Sequence, residues 1–442
     1  MLTPEPAEKV DASPIYNYYT ATAPNNFTAP QLQGDISVDT VIIGGGYAGL
    51  ATAMSLLERG HNNVALLEAE RIGFGASGRN GGFVFGGFSL GEKQLVRQLG
   101  VNTGRWAYRL TTRAIERIRA RATQHHILCD LNPGGVILAN WFNETRSIQA
   151  QHAFMRQTLD VNWDWLDRAQ IRDAIHSTRY HNGLFEKNAF HFHPLKYARG
   201  LAVTLAAQGV RLFEHTPALS LSPLKHSRAH IITPQGTVTA RHVVVACGGY
   251  IKNFYPPIAR SILPISTYVM VTEPLGDRLH ALIPTEAAIY DTRFAFDYYR
   301  KLPDHRLLWG GRISIKQRNP EVIRTLLMRD LLNVFPDLHD VHIDYAWGGL
   351  MAYVRHQMPI IGKTRDNIWH VIGFGGHGVG PTTAGGELIA QAICGENTDY
   401  TRLARYTPRL AFGYLGQMAS QLMYWQRQTV DWINEKRFNR AS

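Results

Sequence analysis

The stretch Thr40-Val41-Ile42-Ile43-Gly44-Gly45-Gly46-Tyr47-Ala48-Gly49, continued by Val64-Ala65-Leu66-Leu67-Glu68, decides the fold. The apolar residues before Gly44 have the composition of a buried strand. Beyond the glycines, Leu50, Ala53, Met54 and Leu57 fall on one face at helical spacing. Gly60 closes that helix, and Val64–Leu67 forms the next buried strand. The result is a β-α-β unit of about 30 residues carrying G-x-G-x-x-G between strand and helix, with an acid ending the second strand. Gly44 permits the tight turn, Gly46 lets a pyrophosphate approach the backbone, and Gly49 lets helix and strand pack closely. The helix start at Tyr47 and Ala48 offers unpaired N–H groups and a partial positive charge to phosphates. Glu68 is placed to accept the ribose hydroxyls and to repel a phosphate on the same sugar. The fold class is α/β, with a Rossmann-like dinucleotide-binding domain.

Directly after Glu68 comes Arg71-Ile72-Gly73-Phe74-Gly75-Ala76-Ser77-Gly78-Arg79-Asn80-Gly81-Gly82, five glycines in twelve residues. So bare a backbone suits a flat, polar group lying against it. A nicotinamide has no need of this segment, whereas an isoalloxazine ring exploits it, so the dinucleotide is read as FAD. Val245-Ala246-Cys247-Gly248-Gly249-Tyr250 is a buried strand ending in small residues, with Cys247 serving as a small buried side chain. Gly373-Phe374-Gly375-Gly376-His377-Gly378-Val379-Gly380 again lies between strand and helix. Its N–H groups suit the flavin's pyrimidine oxygens, where negative charge grows on reduction, and His377 is a candidate further donor. Asn80 and His377 are the candidates for groups acting near the ring. His191 and His193 flank Phe192, but no acid or cysteine joins them, so they are read as structural and no metal site is expected.

The remaining pattern is coarser. Residues 1–36 are expected as an irregular, Pro-punctuated leader, with Tyr16, Tyr18 and Tyr19 as anchors and order beginning at Val38. Helices are predicted over 104–125, 147–158, 161–176, 195–208, 319–334 and 384–393, and strands over 210–214, 229–233 and 243–245 and between 267 and 313. Tyr414–Trp432 reads as an amphipathic helix docked on the body. Composition narrows the class further. Lys and Arg number 46 against 35 acids, a formal net charge of +11 spread along all 442 residues with no block of like charge. That distribution argues for a general surface property over a nucleic-acid footprint. Three cysteines, Cys129, Cys247 and Cys394, lie far apart in sequence and indicate a reducing, cytoplasmic setting. No apolar run reaches membrane-spanning length, and the N-terminus lacks signal-peptide character.

These segments, in this order, resemble the D-amino acid oxidase superfamily, which includes glycine oxidase and sarcosine oxidase. The wording of Arg71–Gly82, His193-Pro194-Leu195, Asp297–Arg300, Arg306–Gly311 and Gly376–Val379 is closest to its bacterial γ-glutamylputrescine oxidase branch. The resemblance spans about residues 38–395. It implies a discontinuous FAD domain (37–115, 190–260, 345–398) and an α+β substrate domain built on an antiparallel sheet (116–189, 261–344), then a C-terminal helical segment (399–442). It adds Ala69, Arg71, Gly75, Ala76, Ser77, Gly81, Gly82, Ala218, Gly248, Gly375, Gly376, Gly378 and Val379 to the FAD contacts. It implies hydride transfer from a carbon next to nitrogen to the flavin, an imine that hydrolyses in water, and no dedicated general base. Oxygen, a quinone or a partner protein then reoxidises the flavin.

Two departures sharpen this. Glycine oxidase-like members carry Trp-x-Gly-x-Arg, whose Arg clamps the substrate carboxylate, but here Trp347-Gly348-Gly349-Leu350-Met351 puts Met351 at that position. Methionine cannot make the bidentate pair a carboxylate needs. An amine is therefore expected over an α-amino acid, with Arg355 or Arg300 as candidates to compensate. Relatives that tether FAD use a cysteine near this segment or a histidine beside the first Gly-rich region, and neither is present, so FAD is expected noncovalent. Phe83, Tyr298, Tyr299, Trp347, Met351, Tyr353 and Arg355 are the predicted substrate contacts. The alternatives are an α-amino acid oxidase or deaminase, or a basic FAD protein acting on RNA.

Overall fold

Hydrophobic periodicity sorts the chain into two sheets, each covered by helices. The computed structural model describes residues 16–25, 27–222, 228–365 and 367–439. In the first sheet Ile36–Ile43 lies at the centre, parallel to Val64–Leu67 on one side and to Gly236–Val245 on the other. Arg211–Phe213 and Ile368–Ile372 extend it in parallel, and Ile360–Arg365 closes one edge antiparallel. Its strands are apolar on both faces, because helices cover both. Tyr47–Leu57 and Val379–Ile393 cross so closely that a Cβ on Gly386 would stand 2.7 Å from the amide of Thr52.

The second sheet runs, in spatial order, Ile343–Tyr353, Leu263–Thr272, Leu307–Ser314, Tyr298–Lys301, Ala288–Asp291, Val136–Ala139, Gly183–Glu186 and Asp164–Leu166. It is not wholly antiparallel. Val136–Ala139 and Ala288–Asp291 run parallel, since a long excursion through other elements separates them. Pro320–Leu332 covers one face, burying Ile323, Leu327 and Leu331 against Tyr299 and Trp309.

Several sequence expectations are corrected. Strand Ile343–Tyr353 belongs to the second sheet, so residues from 345 do not yet return to the dinucleotide layer; that return begins at Ile360. Helix Glu92–Gln124, kinked at Gly100, packs its Ile115, Ile118 and Ala122 into the first core, so no boundary falls at 115. The helix predicted over 161–176 is instead the strand Asp164–Leu166 and the short helix Arg168–Ala174. An Asp167 capping box starts a new element there. The leader is not irregular throughout. Tyr18–Thr22 is a helix capped by Asn17, with Tyr18 and Tyr19 buried, while Pro4, Pro6 and Pro14 lie outside the described residues. The first strand starts at Ile36 rather than Val38. The C-terminal helix, Gly413–Phe438, buries Gln421 and Tyr424 against the body.

The crossing at Gly386 gives a stability test. Gly386→Val drives a Cβ and its two methyl groups into the backbone of the neighbouring helix, and overpacking of this kind costs about 1–3 kcal/mol. The denaturant midpoint should fall at unchanged m-value; an unshifted midpoint contradicts the packing described.

Candidate active site

The ends of the two sheets meet at one cavity of about 850 Å³. Its dinucleotide end is built as the glycine pattern requires. Gly44 sits at φ 115°, where a Cβ would lie 2.6 Å from the carbonyl oxygen of Ala246, and a Cβ on Gly49 would lie 2.0 Å from the carbonyl oxygen of Gly44. Glu68 receives the N–H of Gly45 at 2.6 Å on one oxygen and that of Glu70 at 3.0 Å on the other. Burial lifts its carboxyl above the ordinary range while these bonds pull it down. Tyr47 N–H donates to Ser77 Oγ at 2.9 Å, which joins the first Gly-rich turn to the second.

The second Gly-rich segment is fastened from behind. Three consecutive carbonyls each accept a buried donor: Arg79 from Trp347 Nε1 at 3.0 Å, Asn80 from the Tyr19 hydroxyl at 2.8 Å, and Gly81 from Arg300 Nε at 2.7 Å. Asn80 turns the loop with its own amide, donating to the carbonyls of Ala76 and Ser77 and accepting from Gly82 N–H. Asn80 is therefore a loop-folding residue and has no free amide donor to offer a reacting group. Trp347 is likewise removed from the predicted substrate contacts, and Arg300 from the candidates to compensate for a carboxylate-binding arginine, since neither lines the cavity. Tyr299 is removed as well. It points to the opposite face of its strand from Tyr298 and stacks on Trp309 in the second core, centroids 4.6 Å apart.

Phe83, Tyr298, Met351, Tyr353 and Arg355 do line the cavity. So do Gly44, Gly46, Tyr47, Ala48, Glu68, Gly75, Ala76, Ser77, Asn80, Gly81, Cys247, Gly248, Gly375, Gly376, His377, Gly378 and Val379. Gly49, Gly82 and Ala218 are packing positions off the wall, and Ala69 and Arg71 are exposed outside it. His191 and His193 are structural. His193 accepts from Lys196 N–H at the start of Pro194–Ala207, and His191 Nε2 lies 3.0 Å from the Glu286 carbonyl. Among the described residues no cluster of potential metal ligands forms.

His377 differs from the expectation of a donor. Its Nε2 lies 3.4 Å from the Phe85 carbonyl, which only accepts, so the proton sits there. Burial pushes the imidazole down to about 4, leaving a neutral ring whose Nδ1 is an acceptor. Behind this wall two carboxyls without cationic partners among the described residues, Glu92 and Glu186, face Tyr108 and Tyr290. Glu186 accepts from Gly86 N–H at 3.1 Å, and burial pushes its carboxyl up to about 7.

Sequence reasoning missed Phe85, Arg79, Tyr250, Tyr290 and the inner face of the C-terminal helix, where Gly416, Ser420, Gln421 and Tyr424 complete the wall. Arg79 lies within the second Gly-rich segment and Phe85 just beyond it, a usable signal. Tyr290 and the helix are brought in only by the tertiary fold.

A strand–glycine–helix dinucleotide site facing a second, ring-covering sheet defines a flavoprotein oxidoreductase. The family described as FAD dependent oxidoreductase matches residues 39–392, and this chain belongs to it. It is 34% identical over 383 residues to the γ-glutamylputrescine oxidoreductase of Escherichia coli K12, covering 86% of this chain and 89% of that protein. Among solved structures it is similar to glycine oxidase from Geobacillus kaustophilus, with a TM-score of 0.69 at 20% identity over 85% of this chain and all of that one. It is also similar to L-proline dehydrogenase from P. horikoshii, with a TM-score of 0.70 at 17% identity over 86% of this chain and all of that one. The protein is an FAD-dependent oxidoreductase, and the residues present fit the group: a glycine turn too tight for any side chain, an acid at the ribose position and an adjoining cavity.

Two measurements follow. Glu68→Ala leaves the Gly45 and Glu70 N–H groups without their acceptor, at about 1–3 kcal/mol for a buried donor. FAD titration of apoprotein should show affinity at least about tenfold weaker, and unchanged affinity contradicts the assignment. Glu186, raised from 4.5 toward about 7, holds a proton in the folded state that the unfolded chain releases earlier. Its contribution to stability is present below about pH 4.5 and is lost as pH rises through 7. Subtracting the Glu186→Gln stability–pH curve from that of the unmodified protein should leave a fall between about pH 4.5 and 7; a flat difference shows an ordinary carboxylate.

Proposed function

We propose that the protein oxidises a carbon–nitrogen bond of a small amine, with FAD bound without a covalent link. The observation that carries this is the wall opposite the Gly-rich loops. Phe83, Phe85, Tyr290, Tyr298, Tyr353 and Met351 line it, and the resemblance to glycine oxidase-like sequences implies that Met351 takes the place of a carboxylate-binding arginine. Arg300 cannot compensate, because its guanidinium is buried and bonded to Gly81 and Phe192 carbonyls. Aromatic faces hold a cationic amine by their quadrupoles.

The chemistry FAD supplies when bound is acceptance of a hydride from the carbon next to nitrogen, and the imine product hydrolyses to a carbonyl compound and an amine or ammonia. Phe83 and Tyr298, edge to face at 5.6 Å, orient the chain of the substrate. The aromatic wall and the inner face of the C-terminal helix restrict water. Cys247 lines the cavity, but its thiol bonds the Ile43 carbonyl and burial pushes it up to about 12, so no thiolate is available for a tether. The E. coli relative is named for γ-glutamylputrescine, and an amine of that kind fits this wall.

Anaerobic mixing with a panel of primary and secondary amines and of D- and L-amino acids tests the reading. Amines should bleach the flavin. Bleaching by α-amino acids and by no amine contradicts it.

A further inference from the structure

Most charged groups on the cavity wall already have partners. Arg293 is clamped by Asp291 at 2.5 Å and Asp297 at 2.6 Å. Arg312 is held by both oxygens of Asp330. Arg79 is buried, with its guanidinium carbon 4.4 Å from the ring centroid of Phe74. Arg355 is different. It is exposed, it lines the same cavity, and among the described residues no carboxylate pairs with it. Its guanidinium carbon rests 5.5 Å from the ring centroid of Phe412 at the start of the C-terminal helix. That helix has no acid in its first turn and no capping side chain, so nothing there competes for the guanidinium.

Strand geometry sets its distance from the aromatic wall. Met351 and Tyr353 share one face of Ile343–Tyr353 and both line the cavity. Arg355 follows two residues beyond Tyr353. The strand ends at Tyr353 and Arg355 lies in the turn that follows, so the four residues of chain hold its Cα within about 13 Å of that of Met351. We infer that Arg355 binds a carboxylate at the far end of the substrate, so that the substrate class is an amine whose chain ends in a carboxylate remote from the oxidised carbon. This rests on the amine reading above. A simple alkylamine meets an unpaired guanidinium of its own charge sign. A molecule with separated charges places its anion on Arg355 and its ammonium toward the aromatic wall. The planar fork of arginine suits a carboxylate bidentately, which lysine does not reproduce.

The test uses the holoenzyme with three probes of matched chain, ε-aminocaproate, hexylamine and hexamethylenediamine, read by anaerobic flavin bleaching and by steady-state KM and kcat. The unmodified protein should show KM at least about tenfold lower for ε-aminocaproate than for hexylamine. Arg355→Met should collapse that ratio through KM, with Arg355→Lys recovering part of it. Flavin content and melting temperature, unchanged from the unmodified protein, will show that the exposed substitution leaves the fold intact. Equal KM values in the unmodified protein, or a ratio that survives Arg355→Met, overturn the inference while the amine reading stands. Bleaching by none of the three overturns both.

Discussion

Three carbonyl oxygens in a row, those of Arg79, Asn80 and Gly81, are each held by a side chain from a distant part of the chain. This is the constraint on which the site depends. A glycine-rich segment loses much conformational entropy on ordering and has no side chains to pack in compensation. Trp347 from the second sheet, Arg300 from the same sheet and Tyr19 from the N-terminal helix supply the missing enthalpy from one side. The other side of the segment is left to form the cavity floor. Because those donors come from both the leader and the second sheet, the cofactor loop cannot form unless the whole molecule has folded around it.

The same constraint explains which residues misled the reading of the sequence. Trp347, Arg300 and Asn80 stand in motifs that suggest contact with a ligand, and they do serve the ligand site, but through the loop. Tyr298 and Tyr299 are adjacent, and strand alternation sends one to the cavity and one to the core. Only the register of pairing with Leu307–Ser314 decides which. By contrast, the turn at Gly44–Gly49 and the acid at Glu68 were legible because their geometry is local: strand, turn, helix, strand. The cover supplied by Tyr290 and the C-terminal helix is a long-range product of the fold, with no periodic signal of its own. The strand at Asp164–Leu166 was hidden because three residues are too few to show alternation.

Charge placement gives the cavity its polarity. Arg293 and Arg312 are neutralised by neighbouring aspartates, whereas no carboxylate among the described residues pairs with Arg355. With the substrate's carboxylate on Arg355, as inferred above, the site discriminates by the separation of charges along a substrate, whereas a carboxylate-binding arginine at the Met351 position would discriminate by charges on one carbon.

The central claim is that both Gly-rich stretches hold a single FAD by noncovalent contacts alone. Acid precipitation of the purified protein, followed by absorbance spectra of supernatant and pellet, tests it most directly. The protein should be yellow, and its colour should pass entirely to the supernatant as intact FAD. Colour retained in the pellet, or a protein that is colourless and takes up no added FAD, contradicts it.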